Sequence, residues 1–318
     1  MKTFLAFLKS NPSLKTKVIF SFIFLSLLPA RNYYNSLELN SNNPLVKKTN
    51  YQFISLSKYP VNKTKTPAPY LSARSAMVVD VNTKSILFTK NPNLKLLPAS
   101  TTKIMTGLIV LENYDLDDVV LIESVNGTGQ KMGLEMGERI TIENLLYGLL
   151  VQSGNDAATA LAQFYPQGQD AFINLMNQKA KDLNLHDTQF TNSAGLDAYG
   201  HYSTVHDLSL LAAVVMKNEI FKKIVSTQAI TVSDVDNTIS HELETINQLL
   251  GKVSGLAGIK TGWTDLSGEC LITYTKRGSQ EIITVVLGSS DRFGESAGLI
   301  DWAFSNHQWL EVPLATHS

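Results

Sequence analysis

The chain has 318 residues, of which 44% are hydrophobic and 17% are charged, a composition typical of a globular protein that can bury a core. Its formal net charge is −1, so it has no basic field, and nothing recommends nucleic acid as a partner. The single cysteine, Cys270, excludes an intrachain disulfide, and the six histidines lack the spacing of a metal site. We therefore expect neither a metal nor a cofactor.

The N-terminal segment has the pattern of a targeting signal. An apolar run at 18–28 follows a stretch with four lysines, Lys2, Lys9, Lys15 and Lys17. This pattern predicts that residues 1–30 are either a secretory signal peptide or an N-terminal membrane anchor, and the poor cleavage site leaves both open. Either one places the rest of the chain outside the cytoplasm, because the lysines stay inside. A cytosolic hydrophobic helix is the third alternative.

Residues 31–72 are rich in Asn, Ser, Lys, Thr and Pro and have few periodic apolar residues, so we expect a disordered linker there. A folded domain is predicted over 73–312, with a short tail at 313–318. We find no internal repeat in the sequence.

The folded part alternates short strands with helices. The pattern predicts strands at 76–80 and 85–89, a helix that begins at Ser100, a strand at 119–122, helices at 141–150, 157–164, 170–183 and 204–217, strands at 270–275 and 282–288, and a last helix at 295–306. The region 221–254 gives a mixed pattern and no prediction. Since strands lie in pairs at both ends, we expect them to form one antiparallel sheet of about five strands flanked by helices, an α/β (α+β) sandwich.

Ser100 and Lys103 are the first candidates for chemistry. They lie three residues apart where a helix begins after Pro98, and side chains at that spacing are neighbours. A hydroxyl becomes a nucleophile when a base takes its proton, and a lysine amine is such a base once its pKa is lowered. The helix N-terminus adds backbone N–H groups that suit an oxyanion. The spacing alone is weak evidence, because a Ser and a Lys three residues apart on a helix are in most cases just exposed side chains.

Two further polar clusters interrupt the chain, Ser153-Gly154-Asn155 and Lys260-Thr261-Gly262. Each has an ordinary interpretation, the first as a helix stop followed by a cap and the second as a turn after a strand. Together with the Ser100 cluster, and in this order, they match the signature of class A β-lactamases and penicillin-binding proteins.

The sequence resembles the D-alanyl-D-alanine carboxypeptidase family, the low-molecular-mass penicillin-binding proteins, over about 73–301. The segments that carry the resemblance are 98–106, 145–150, 153–158, 258–262, Met176-Asn177, Lys179-Ala180, Gly195-Leu196-Asp197 and 201–204. It implies a β-lactamase/DD-peptidase-like fold and a peptidoglycan stem peptide ending in D-Ala-D-Ala as substrate. It also implies inhibition by β-lactam antibiotics and a location outside the cytoplasm.

The resemblance implies roles for the first two clusters. Ser100 would attack the carbonyl of the penultimate D-Ala and form an ester, while Lys103 takes its proton. Ser153 would relay a proton to the leaving D-Ala. Asn155 would donate a hydrogen bond to the substrate or contact the Lys103 amine.

The third cluster is implied to bind the substrate. Lys260 and Thr261, in the motif that Gly262 completes, would hold the terminal carboxylate, and Lys260 would be the cation that helps to keep Lys103 neutral. The backbone N–H groups of Ser100 and Trp263 would form the oxyanion hole.

Two departures from the pattern, and two rival functions, stay open. Gly154 stands where β-lactamases usually carry Asp, and the chain leaves no room for the β-rich C-terminal domain of many family members, so we expect the N-terminal segment to serve as the membrane anchor. A serine β-lactamase would need a deacylating Glu, and none lies between Asp156 and Tyr202. An inactive wall-binding or penicillin-sensing domain is the second rival. The residues do not separate a carboxypeptidase from a D,D-endopeptidase.

Overall fold

The computed structural model describes residues 58–125 and 128–311 of the chain. The predictions for residues 1–30, for the linker up to residue 57 and for the tail at 313–318 fall outside these residues. Within the described ranges, no helix combines the length and the apolar character that a membrane span requires.

The described residues form eleven strands and seven α-helices. The strands are β1 (Tyr59–Asn62), β2 (Ser75–Asp80), β3 (Ile86–Lys90), β4 (Val119–Leu121), β5 (Arg139–Thr141), β6 (Ala229–Ser233), β7 (Ser240–Glu244), β8 (Leu256–Thr264), β9 (Gly268–Arg277), β10 (Gln280–Ser289) and β11 (His307–Leu310). The helices are α1 (Lys103–Asn113), α2 (Ile142–Leu150), α3 (Asn155–Phe164), α4 (Gly168–Asp182), α5 (Val205–Val215), α6 (Glu219–Val225) and α7 (Arg292–Asn306).

Five strands build the central antiparallel sheet, in the order β3-β2-β10-β9-β8. Two of them come from the start of the domain and three from its end, and β2 pairs directly with β10. The prediction that both ends of the domain meet in one antiparallel sheet of about five strands is therefore confirmed. β8 lies at one edge of this sheet, which leaves one of its sides open to the cleft described below.

Helices cover both faces of the sheet, because alternate side chains of a strand point to opposite sides. On β10, Ile283 and Val285 enter the larger apolar core, to which α5 contributes, whereas Ile282 and Val286 enter a second core under α7. Burial on both faces explains why this strand reads as a continuous apolar run rather than an alternating one. The predicted sandwich of helices around a sheet is confirmed.

The folded part begins earlier than the sequence indicates. Within the predicted linker, β1 pairs with β11, and the Leu71 side chain is buried. The carbonyl oxygen of Thr66 accepts a hydrogen bond of 3.0 Å from the indole of Trp302. The prediction of disorder is therefore wrong for residues 58–72. These residues satisfy their backbone groups against the C-terminal strand and helix, an arrangement that needs no apolar periodicity.

Local signals predicted the helix starts well. The Thr141 hydroxyl accepts a hydrogen bond from the Asn144 amide at 3.3 Å at the start of α2, and Thr204 caps α5 by accepting from Asp207 at 3.1 Å. The region 221–254, which gave no prediction, forms most of α6 and the β6–β7 hairpin.

Candidate active site

Ser100 lies on a short 3-10 turn, Ala99–Thr102, which leads directly into α1. Ala99 has a φ of 48°, in the left-handed region that side chains rarely adopt. Two glycines make room for this turn, because a Cβ on Gly195 would collide with the Ala99 carbonyl and one on Gly262 would lie 3.0 Å from the Ser100 amide nitrogen. The nucleophile candidate is thus held on a tight turn between the loop at 192–200 and strand β8.

Lys103 is fully buried and makes three polar contacts through its amine. Its Nζ lies 2.9 Å from Ser100 Oγ, 2.6 Å from Asn155 Oδ1 and 2.6 Å from the Ala194 carbonyl oxygen. The last two groups can only accept hydrogen bonds. In the neutral amine both N–H groups are therefore used there, and the lone pair remains for the hydroxyl proton of Ser100.

Burial lowers the pKa of Lys103 to about 7, while the nearby carboxylate of Asp156 acts in the opposite direction. A substantial fraction of the amine is neutral at pH 7 as a result. Burial and a nearby cation, Lys260, are the two causes expected from the sequence, and burial is the one that lowers the pKa of Lys103. Repulsion between the two amines lowers the pKa of Lys260.

Lys260 is also buried, on strand β8, where its amine donates to the Thr261 carbonyl oxygen at 3.0 Å. Burial, followed by the charges of Lys103 and Arg292, lowers its pKa well below the usual lysine range. Three basic groups thus converge here, and an anionic ligand would relieve their repulsion. Thr261 is 1% exposed, and its hydroxyl has no hydrogen-bond partner in the structure.

Ser153 lies in the loop between α2 and α3, and Asn155 is the first residue of α3. Ser153 is buried and has a φ of 63°, so its backbone takes a left-handed conformation between the two helices. The Asn155 side chain bridges two elements: its Oδ1 accepts from Lys103, and its Nδ2 donates to the Thr128 carbonyl oxygen at 2.5 Å. The second contact fixes which end of the amide faces the lysine.

A cleft of about 600 Å³ joins these elements. Its lining includes six of the eight predicted site residues, namely Ser100, Ser153, Asn155, Thr261, Gly262 and Trp263. The two predicted lysines are buried beside it. The Trp263 side chain is 57% exposed at the rim. All eight residues therefore belong to one site, although they come from three separated parts of the chain.

Arg292 was not predicted, yet it belongs to the site. It lines the cleft, its Nη1 donates to the Gly262 carbonyl oxygen at 2.8 Å, and its buried Nε has no partner in the structure. The sequence pattern gave no signal for it, because it predicts the last helix only from residue 295, whereas α7 begins at Arg292. Asp197, which accepts from the Thr264 hydroxyl at 2.7 Å, joins the opposite rim to β8.

Over residues 58–125 and 128–311, no group of three or more His, Cys, Asp or Glu residues is arranged to hold a metal ion. A hydroxyl beside a buried amine, an amide that orients the amine, and a basic cluster next to an unpartnered hydroxyl are features of serine acyl-transfer enzymes that act on anionic substrates.

Comparison with known proteins gives the family. The model of the D-alanyl-D-alanine carboxypeptidase family matches residues 62–291, and the chain belongs to this family. It is 34% identical over 246 residues to the D-alanyl-D-alanine carboxypeptidase DacF of Bacillus subtilis, covering 74% of this chain and 63% of the relative. It is 34% identical over 263 residues to a D-alanyl-D-alanine carboxypeptidase of a Streptomyces species, covering 76% of this chain and 90% of the relative.

The fold is shared with solved structures. The Streptomyces K15 DD-transpeptidase has a TM-score of 0.72 at 32% identity, over 76% of this chain and 100% of that chain. The D-alanyl-D-alanine carboxypeptidase DacD of Francisella tularensis has a TM-score of 0.70 at 29% identity, over 75% of this chain and 72% of that chain. The resemblance stated from the sequence motifs is therefore confirmed for the family and for the fold.

Proposed function

We propose that this chain is a penicillin-sensitive serine D-alanyl-D-alanine carboxypeptidase, which removes the terminal D-Ala from peptidoglycan stem pentapeptides. The contacts of the Lys103 amine carry the proposal. Two acceptors take its N–H groups and leave its lone pair for Ser100, and a pKa of about 7 makes the neutral form available. This is the arrangement that a general base requires.

In the proposed reaction, acylation comes first. Ser100 Oγ attacks the carbonyl carbon of the penultimate D-Ala as its proton passes to Lys103. The backbone N–H groups of Ser100 and Trp263 stabilise the oxyanion of the tetrahedral intermediate. When the peptide bond breaks, the proton that Lys103 took from Ser100 passes through Ser153 to the leaving amine, which leaves Lys103 neutral again, and Asn155 keeps the lysine in place. The products of this step are free D-Ala and an ester on Ser100.

The substrate carboxylate is held by the basic side of the cleft. The Thr261 hydroxyl and the Arg292 Nε have no partner, and a carboxylate is an acceptor that can pair with both. Its negative charge raises the pKa of Lys260 and so restores the ammonium form when substrate binds. Gly262 lets β8 approach the Ser100 turn closely, which brings the carboxylate site near the nucleophile.

Deacylation completes the turnover. A water molecule adds to the ester carbonyl, Lys103 takes a proton from it, and Ser100 recovers its own proton as the shortened peptide leaves. Transfer to an amine or cleavage of a cross-link would use the same acyl-enzyme. The relatives include a protein named D-alanyl-D-alanine endopeptidase in Pseudomonas aeruginosa, 32% identical over 251 residues. The carboxypeptidase is favoured because most of the similar proteins carry that name.

The location outside the cytoplasm, with the membrane reached through the N-terminal segment, is part of this proposal. It rests on the charge pattern of residues 1–30 and on the peptidoglycan substrate of the family. A fusion of residues 1–57 to a reporter enzyme that is active only outside the cytoplasm tests it. An inactive reporter would contradict it.

The direct test is release of D-Ala. We expect free D-Ala from a synthetic stem pentapeptide and covalent labelling by a fluorescent penicillin at Ser100, with both lost in Ser100→Ala. If the Ser100→Ala variant is labelled as well as the wild type, Ser100 is not the nucleophile. If penicillin labels Ser100 but no peptide is cleaved, the inactive penicillin-sensing domain is the correct alternative.

A second test separates the proposal from a serine β-lactamase. Among its described lining residues the cleft has no Glu, and its carboxylates are Asp197 and Asp265. A class A β-lactamase deacylates with a dedicated Glu through a water, and loss of such a base slows that step by about 10²–10⁴-fold. We therefore expect the penicilloyl ester to persist for minutes in mass spectra of the intact protein after a brief pulse. Disappearance within seconds, with hydrolysed penicillin accumulating, would identify a β-lactamase.

A further inference from the structure

A buried ion pair lies next to the active site and has no part in the mechanism above. His241, on β7, contacts Glu138 with 2.7 Å between Nε2 and Oε1, and both side chains are buried. We call these two residues the clamp pair. Burying two charges is costly, and a buried ion pair is weak evidence for a gain in stability alone. The pair therefore calls for a role in the site.

The clamp pair holds residues 128–134, here called the cleft loop. The second ring nitrogen of His241, Nδ1, would lie 3.9 Å from a Cβ on Gly133, and the Met132 backbone helps to raise the pKa of His241. The Met132 N–H is already donated to Asp156 at 2.9 Å, so the group that faces His241 is the Met132 carbonyl. Glu138 in turn accepts from the Glu135 amide at 2.9 Å through its other oxygen.

The cleft loop acts on the catalytic amine through Asn155. The Thr128 carbonyl accepts from the Asn155 side chain at 2.5 Å, and the Gln130 carbonyl accepts from its backbone N–H at 2.8 Å. The same side chain accepts from Lys103 at 2.6 Å. A displacement of the cleft loop therefore turns Asn155 away from Lys103, and the amine loses one of the two acceptors that direct its lone pair to the nucleophile.

The two contacts of His241 also require its charged form. Both ring nitrogens face acceptors, a carboxylate and a carbonyl, and an imidazole can donate to both only when it carries two protons. The charges that act on the ring are those of Glu138, at the end of the segment that follows the cleft loop, and of Asp156 on α3. Contact with Glu138 raises the pKa of His241, which burial alone would lower. Above that raised pKa, one of the two contacts is lost.

We propose that the clamp pair positions the catalytic amine: it holds the cleft loop against Asn155, which in turn holds Lys103. This inference rests on the proposed function, because it assigns the pair to acylation of Ser100. His241 and Glu138 do not touch the substrate, so they are positioning residues.

The test is the acylation rate of His241→Gln with penicillin, measured from pH 6 to pH 10 as the ratio of wild type to variant. The ratio cancels the titration of Lys103, which both proteins share. Misplacement of a reacting group by about 1 Å costs up to ~10²-fold in rate, so we expect a ratio of about 10 or more at pH 6. The ratio should fall as the pH rises through the raised pKa of His241, because the wild type then loses the same contact.

Arg139→Gln is the matched control. Arg139 pairs with Asp236 at 3.5 Å on the protein surface, between the strand that follows Glu138 and the β6–β7 hairpin that carries His241. The control breaks an ion pair between the same elements without touching the Met132 peptide. We expect it to leave acylation within about twofold of the wild type at every pH, since exposed ion pairs contribute little.

Glu138→Gln, together with hydrogen exchange in the wild type, covers the case in which His241→Gln does not fold. Glu138→Gln removes the other half of the clamp pair, so its ratio of wild type to variant should also be large at pH 6 and fall through the raised pKa of His241. In the wild type, the protection factors of the Met132 and Leu134 amides should fall above the raised pKa of His241, while that of Ile283 in the central sheet stays constant. A pH-independent ratio, or a ratio of one, with normal wild-type acylation overturns the inference. Absence of acylation in the wild type overturns the proposed function instead.

Discussion

Lys103 and Lys260 are both fully buried lysines in one site, yet their surroundings differ in a way that separates their roles. Lys103 has two acceptors and a hydroxyl around its amine, whereas Lys260 contacts the carbonyl of the next residue and faces other cations. The Lys103 amine has all its hydrogen-bond partners without a ligand, and its lone pair faces the hydroxyl of Ser100. The Lys260 amine has cations near it, and the negative charge of a bound anion would offset their repulsion. Under the proposed function, the same residue type thus serves as a base in one place and as an anion-binding charge in the other.

The largest effect is expected when the Lys103 amine is removed. Lys103→Ala removes the base, and we expect the rate constant for acylation by penicillin to fall by at least ~10²-fold. The natural control is Lys179→Ala, which removes an amine from a surface pair with Glu112. The acylation rate constants of both variants are measured by stopped flow, and the rate constant of Lys179→Ala should stay close to that of the wild type. An unchanged rate in Lys103→Ala would show that another group takes the Ser100 proton.

The two lysines also differ in how well the sequence predicted them. Ser100 and Lys103 are neighbours in sequence, so helical spacing alone brings them together. Lys260 and Thr261 lie on one strand, and the motif identified them as well. How close they come to Ser100 depends on Gly262, because a Cβ there would lie 3.0 Å from the Ser100 amide nitrogen, and the motif does not state what this glycine approaches.

The parts that sequence reasoning missed are those set by long-range contacts. Arg292, at the start of α7, donates to the Gly262 carbonyl on β8, which lies 30 residues earlier in the chain, and no local pattern indicates that contact. The Ala194 carbonyl, an acceptor for Lys103, is a backbone group and has no sequence signature. The β6–β7 hairpin escaped prediction because its strands alternate between exposed and buried positions with polar residues such as His241 inside. In each case the missing information is which distant element lies alongside.

The second prediction concerns the loss of the Lys260 amine. Lys260→Ala removes a charged partner of the substrate carboxylate, and such a hydrogen bond contributes about 1.5–3 kcal/mol. We therefore expect kcat/KM for the pentapeptide to fall by about 10- to 10²-fold. The same peptide with its terminal carboxylate amidated is the control, because it has no charge for Lys260 to bind. If the variant and the wild type lose the same factor on amidation, Lys260 does not recognise the carboxylate.

The smallest expected effect is the pH dependence of kcat/KM, which distinguishes the two lysines by their protonation states. A lysine with a pKa of about 7 is mostly neutral at pH 8 and mostly protonated at pH 6. The base form of Lys103 therefore disappears as the pH falls, and we expect kcat/KM to drop about tenfold from pH 8 to pH 6. Lys260 must instead be protonated, because its ammonium form binds the carboxylate. The pH profile of kcat/KM therefore also falls on its alkaline side, and the lowered pKa of Lys260 places this alkaline limb below the usual lysine range. The acid and alkaline limbs of this profile belong to the coupled pair of lysines as a whole.

Lys260→Arg separates the two limbs, since a guanidinium stays charged throughout this range. Its altered geometry should reduce activity, yet the acid limb should remain while the alkaline limb disappears. A pH profile of Lys260→Arg that keeps both limbs would mean that the alkaline limb has another source, and a profile without the acid limb would remove Lys103 as the base.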